Sequence, residues 1–96
     1  SSNEYDLQAL NEPADQALHT ALAAVSARAA ELAEGLDYSG SLTALSSLRE
    51  PVDTLFEAVM VMDKDETIRK NRLGLLRSVA DQFARIADFT HLSSDA

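Results

Sequence analysis

The chain has no cysteine, and only three glycines, two prolines and five aromatic residues among its 96 positions. Without cysteine there is no disulfide framework, no thiolate zinc site and no cysteine nucleophile, a usage that fits a reducing compartment. The scarcity of Gly and Pro leaves long Ala/Leu-rich periodic runs between them, which argues for helices rather than many short strands. Long apolar runs are missing too: the most apolar helical stretch, Ala17 to Ala33, is interrupted by His19, Arg28 and Glu31. The N-terminus lacks the basic-then-apolar order of a secretory signal. These features describe a soluble chain with no membrane contact, expected in the cytoplasm.

Positive charge is the other shortage. Eight Lys and Arg face sixteen Asp and Glu, a formal net charge of -8. Bulk charge of that sign opposes non-specific binding to phosphate backbones and on its own disfavours RNA, and no DNA partner is expected, because nucleic-acid affinity rests largely on counterions released by Lys and Arg. The distribution is uneven. Residues 1–38 hold seven acids and only Arg28, whereas residues 64–77 hold Lys64, Arg69, Lys70, Arg72 and Arg77 against Asp65 and Glu66. A basic patch therefore survives on an acidic body.

With 46% hydrophobic residues, 96 positions make one small domain. The pattern predicts an all-α bundle of about four helices over residues 11–92, with residues 1–10 as a flexible lead-in and 93–96 as a tail. In the lead-in, Tyr5, Leu7 and Leu10 are candidate docking side chains. Asn11 is positioned to cap a first helix with Pro13 in its first turn. Leu18, Leu22, Val25, Ala29 and Leu32 form one apolar stripe ending at Gly35. Asp37 or Ser39 caps a second helix carrying Leu42, Leu45 and Leu48. Pro51 predicts a break at Arg49–Glu50 and a third helix from Pro51, with Val52, Leu55, Phe56 and Val59 inward and Met60 and Met62 entering a loop. Asp63 and Glu66 read as a capping-box variant opening the last helix. That helix turns Ile68, Leu75, Val79, Phe83 and Ile86 to the core within about 80° at 100° per residue.

Catalytic patterns are scarce. His19 and His91 have no paired nucleophile and no Gly-rich phosphate loop nearby, and polar surface or helix-end roles suit both. The stretch "DKDET" starts like a calcium loop, but its sixth and twelfth positions are Ile68 and Gly74 where Gly and Glu are required, so helix capping accounts for its acids. No catalytic residue and no metal ligand is assigned. On the last helix Lys70 and Arg77 are seven residues apart and stack on the side opposite the apolar wedge, with Arg85 displaced by about 70° and Gly74 lowering the surface between them. This is a candidate phosphate-contacting strip, with Arg69 and Asn71 beside it. A solvated helix face paired with Asp81 explains the same charges. Arg72 falls inside the apolar wedge, where a guanidinium needs a carboxylate. Asp53 is the expected partner.

The segment "LREPVDTLFEAVMVMDKDETIRKNRLGLLRSVADQFARIADFTHL", Leu48 to Leu92, resembles the C-terminal domain of the beta subunit of bacterial glycyl-tRNA synthetases. The marks are "REPVD" (Arg49 to Asp53), "VMVM" (Val59 to Met62) and "NRLGLL" (Asn71 to Leu76), in that order. The module's naming motif, Asp-Ala-Leu-Arg, stands here as Glu66-Thr67-Ile68-Arg69, with "EPADQAL" and "YSGSLTALSSL" in the places of the leading helices. The resemblance implies a helical anticodon-binding domain that holds the anticodon stem-loop of tRNA(Gly), with the alpha subunit and the rest of the beta subunit as partners. It implies no cofactor in this fragment. ATP and Mg would belong to the class II aminoacylation site elsewhere in the parent glycine-tRNA ligase. An alternative is a helical scaffold docking within the synthetase, supported by the acidic balance. Loop recognition usually also needs stacking surfaces, for which Tyr5, Tyr38 and Phe89 remain once Phe56 and Phe83 are assigned to the core.

Overall fold

A chain whose apolar residues recur at helical spacing buries them by laying one helix stripe on another. The structure, a computed structural model, describes the backbone of residues 4–95 and the side chains of residues 4–88. A single 3-10 turn (Leu7–Ala9) leads into α1 (Pro13–Glu34), α2 (Tyr38–Ser46), α3 (Arg49–Ala58) and α4 (Glu66–Asp95). No strand occurs among the described residues. α1 lies against each of the other three helices, and α4 also touches α2 and the 3-10 turn. The core is one cluster: Leu10, Ala14, Leu18, Leu22, Ala29, Leu45, Leu48, Leu55, Leu75, Val79 and Ile86.

Helix starts depart from the sequence pattern in three places, whereas α1 stops at Gly35 as its stripe predicts. α1 is capped by Glu12, in extended conformation and without a side-chain bond, not by Asn11. Pro13 disfavours a helical residue before it, so the last non-helical residue must be Glu12. α1 then closes with Leu36 N–H on the Ala33 carbonyl and Asp37 N–H on that of Leu32, 3.0 and 2.8 Å. The left-handed residue that this closure needs is Leu36, at φ 65°, rather than Gly35. α3 starts at Arg49, two residues before the expected Pro51. Pro51 occupies the first turn, where an N–H has no helical acceptor, and the Val52 N–H bonds the Leu48 carbonyl at 3.0 Å. For α4 the cap is Asp65, whose Oδ1 accepts from the N–H of Thr67 and Ile68. Asp63 sits two residues earlier, and its Oδ1 accepts from the Asp65 N–H instead.

Two expected core residues are outside. Leu42 is exposed, and Ser41 takes the inward position, its hydroxyl donating to the Ala29 carbonyl at 2.8 Å. Positions 41, 45 and 48 hold one face of a 3.6-residue helix better than 42, 45 and 48, whose three-residue steps drift around the axis. Phe56 is 57% exposed. α3 packs chiefly on α1, and Leu55 is the residue it buries fully.

Arg72 is buried in the wedge, as its angle requires, but its partner is Asp15 on α1, not Asp53. Its Nε donates to both Asp15 oxygens at 3.0 and 3.2 Å, Nη2 donates to Oδ2 at 3.0 Å, and Nη1 donates to the Met60 carbonyl at 2.9 Å. Asp63 approaches Nη1 at 3.7 Å. The Asp15 hydrogen bonds hold the guanidinium above its ordinary pKa range against the desolvation that acts the other way. Asp53 lies on the exposed flank of α3, one turn from Arg49 at 3.8 Å. It cannot reach a residue buried between α1 and α4.

Residues 4–10 lie on this body. Leu10 is fully buried, the Tyr5 hydroxyl is 2.8 Å from His19 Nδ1, and the Asp6 N–H donates to Asn71 Oδ1. Burial raises the Tyr5 pKa, since the phenolate would lose its hydration there. Gly74 makes the seat: a Cβ there would overlap the Glu4 carbonyl oxygen.

Three outcomes test this description. Asp15→Ala strands a buried guanidinium and should cost about 3–5 kcal/mol in urea unfolding, whereas Asp53→Ala should stay within about 0.5 kcal/mol. Gly74→Ala should unseat residues 4–6, seen as faster amide exchange there with the α1–α4 core, Leu10 included, retained. Leu36→Gly removes a left-handed strain of about 1–2 kcal/mol, offset in part by glycine's chain entropy, and a higher Tm checks it.

Candidate nucleic-acid interface

The basic residues of 64–77 separate into three environments once α4 is in place. Arg72 is internal and its charge is met by Asp15, so it contributes nothing to the surface field. Arg69 is half-buried, with Nη1 donating to the Asp63 carbonyl at 3.1 Å, which fixes the loop before α4. Lys64, Lys70 and Arg77 are exposed. Lys70 and Arg77 lie about 20° apart around the helix and about 10 Å along it, on the side away from the buried Leu75, Val79 and Ile86. Arg85, also exposed, continues the series about two turns further.

Asn71 is committed internally. Its Oδ1 accepts from Asp6 N–H and its Nδ2 donates to the Thr67 carbonyl at 2.8 Å, so its role is to hold the N-terminal segment on α4. The low surface at Gly74 is likewise filled, by the backbone of Glu4 and Tyr5. The strip is thus bordered by the 3-10 segment rather than by an open trough. Tyr5 is turned toward His19, with ring centroids 5.7 Å apart and planes at 79°. That contact occupies both side chains. Tyr38 stands half-buried at the start of α2, and the Phe89 and His91 side chains lie outside the described residues.

One concave feature had no sequence signal. Between the C-terminal half of α1, the start of α2 and α4 lies a groove of about 630 Å³, lined by residues including Ala30, Ala33, Tyr38, Gln82 and Arg85. Ser26 also lines it, and its hydroxyl oxygen is buried without a hydrogen-bond partner. Alanines in a helix read as neutral spacers, so only the assembled backbone shows the hollow they leave. Among the described residues no group of three or more His, Asp or Glu side chains is placed to hold a metal ion, and no helix is long and apolar enough to cross a membrane.

The arrangement is a helical body with a short cationic ridge. Residues 1–91 match the DALR anticodon binding domain. The glycine–tRNA ligase beta subunit of Shewanella sp. (strain MR-4) is 48% identical over 83 residues, which is 86% of this chain and 12% of that protein. The same-named subunit of Geobacter sp. (strain M21) is 45% identical over 82 residues, 85% of this chain and 12% of the relative. That of Aeromonas salmonicida (strain A449) is 45% identical over 83 residues. The chain therefore spans about an eighth of the length of the curated relatives it matches. No solved structure gives a significant match. An all-α body, a basic ridge on its longest helix and a family match over nearly the whole chain lead to one statement: the chain belongs to the DALR anticodon-binding domain family.

Proposed function

We propose that this chain is the tRNA-binding accessory domain of a glycyl-tRNA synthetase beta subunit and receives the anticodon stem-loop of tRNA(Gly). The observation that carries this reading is the exposure of Lys70 and Arg77 on the water-facing side of α4, in a family whose relatives are named glycine–tRNA ligase beta subunits. Arg85 extends the ridge, Arg69 stiffens the loop at its start, and Asn71 fixes the segment along its border. ATP-dependent aminoacylation would take place elsewhere in the parent enzyme, with ATP and Mg bound there and the alpha subunit and remaining beta chain as partners in the cytoplasm. Acids around a small cationic ridge disfavour misplaced backbones, so the domain contributes orientation and discrimination while other parts of the synthetase supply most phosphate contacts.

A second reading has its own support. Phe56, Met60 and Met62 are 57, 74 and 65% exposed around the end of α3, a set of large apolar side chains suited to docking on another part of the synthetase.

The two separate in one experiment. An NMR titration with the anticodon stem-loop at low salt should shift amides on the Lys70–Arg77 face. Lys70→Glu with Arg77→Glu should weaken binding about tenfold or more and lower the salt dependence by about two counterions. Unchanged affinity in the double variant removes the ridge from the mechanism. No RNA response, combined with binding to the remaining beta chain that Phe56→Ser weakens, selects the scaffold reading.

A further inference from the structure

We infer that the groove between the C-terminal half of α1 and α4 seats one unstacked nucleobase of an RNA loop, an inference that rests on the anticodon-arm reading. Three features point to a base. The floor is small and apolar: Ala27, Ala30 and Ala33 follow one another at three-residue spacing and leave the α1 backbone low enough for a flat ring to lie close. Two residues with planar side chains are part of the lining, Tyr38 at the start of α2 and Arg85 on α4. Splayed loop bases stack on such aromatic and guanidinium planes. Edge chemistry is also present. Gln82 offers both a donor and an acceptor, and the buried Ser26 hydroxyl has no hydrogen-bond partner, a deficit that a polar ring atom would relieve through a change of χ1.

Charge sets the direction of entry. Arg85 lies about 12 Å along α4 from Arg77, so it joins the groove to the cationic ridge, and a few nucleotides of single strand bridge that distance. Glu34 lines the groove as well. A carboxylate repels phosphate and accepts from an exocyclic amine, which favours a base inside and the backbone on the Arg85 side. An acidic peptide would meet Glu34 unfavourably. An aliphatic ligand would leave Ser26 and Gln82 unanswered.

The test uses the 96-residue chain and two RNAs, the tRNA(Gly) anticodon stem-loop and a blunt duplex of the same stem. Ala30→Phe fills the groove at an exposed helix position, Gln82→Ala removes edge contacts, and Ser26→Ala removes the unpartnered hydroxyl, with amide spectra checking that each variant is folded. Ala30→Phe should weaken stem-loop binding about tenfold and leave duplex binding unchanged. Gln82→Ala should give a smaller loss of the same kind. Ser26→Ala should lower stem-loop affinity while its Tm stays level or rises, a pairing that a structural role for the hydroxyl would not produce. Equal losses for both RNAs, or no loss with any variant, overturn the base site and leave the Lys70–Arg77 ridge standing. Weakened binding to the remaining beta chain with RNA affinity kept overturns it in favour of a protein occupant. If neither RNA binds the unaltered chain, this inference and the function it rests on fall together.

Discussion

The buried bond between Asp15 and Arg72 organises the molecule. Two oxygens at the start of α1 meet the Nε and Nη2 edge of a guanidinium near the start of α4, while the third nitrogen holds the Met60 carbonyl. Helices α1 and α4 and the connection between α3 and α4 are thereby tied at one point. Such a pair adds little net stability over well-packed apolar residues, because both ions lose their hydration. What it supplies is register. Leucine and alanine stripes tolerate small slides along each other, whereas a planar two-pronged contact fixes rotation and translation together.

That register determines the exterior. With Arg72 facing Asp15, positions 70 and 77 must point to water, and positions 75, 79 and 86 must point at α1 and α2. A rotation of α4 by one residue would bury Lys70 or expose Leu75. The internal ion pair and the external ridge are therefore two aspects of one helix orientation. The same lock places Gln82 and Arg85 opposite the alanine face of α1, where the groove forms.

Much of this could be read from the sequence, and the failures have physical causes. The all-α class, the stripe on α1 and the inward face of α4 follow from periodicity, which reports burial directly. The burial of Arg72 followed from its angle among apolar neighbours. Its partner did not, because Asp15 is 57 positions away and reads as an ordinary first-turn acid of α1. Asp53 is on the helix next to α4 in sequence, whereas space brings α1 to α4. Start positions slipped where two rules competed: Pro13 overrode Asn11 by constraining Glu12, and at α3 a first-turn proline was compatible with a helix already under way. Phe56 and Leu42 are exposed despite their spacing because a helical angle states which residues share a face, not whether a neighbour covers it. The groove was invisible, being made of what alanine lacks.

The contact at Gly74 is made almost wholly by main chain: a carbonyl of residue 4, the Cβ of residue 5 and, one step on, an N–H of residue 6 held by Asn71. It recognises the route of the polypeptide more than the identity of its side groups. The absent methyl at position 74 is therefore a structural element in its own right: it keeps open a channel one backbone wide, through which the chain is threaded before the first long helix begins.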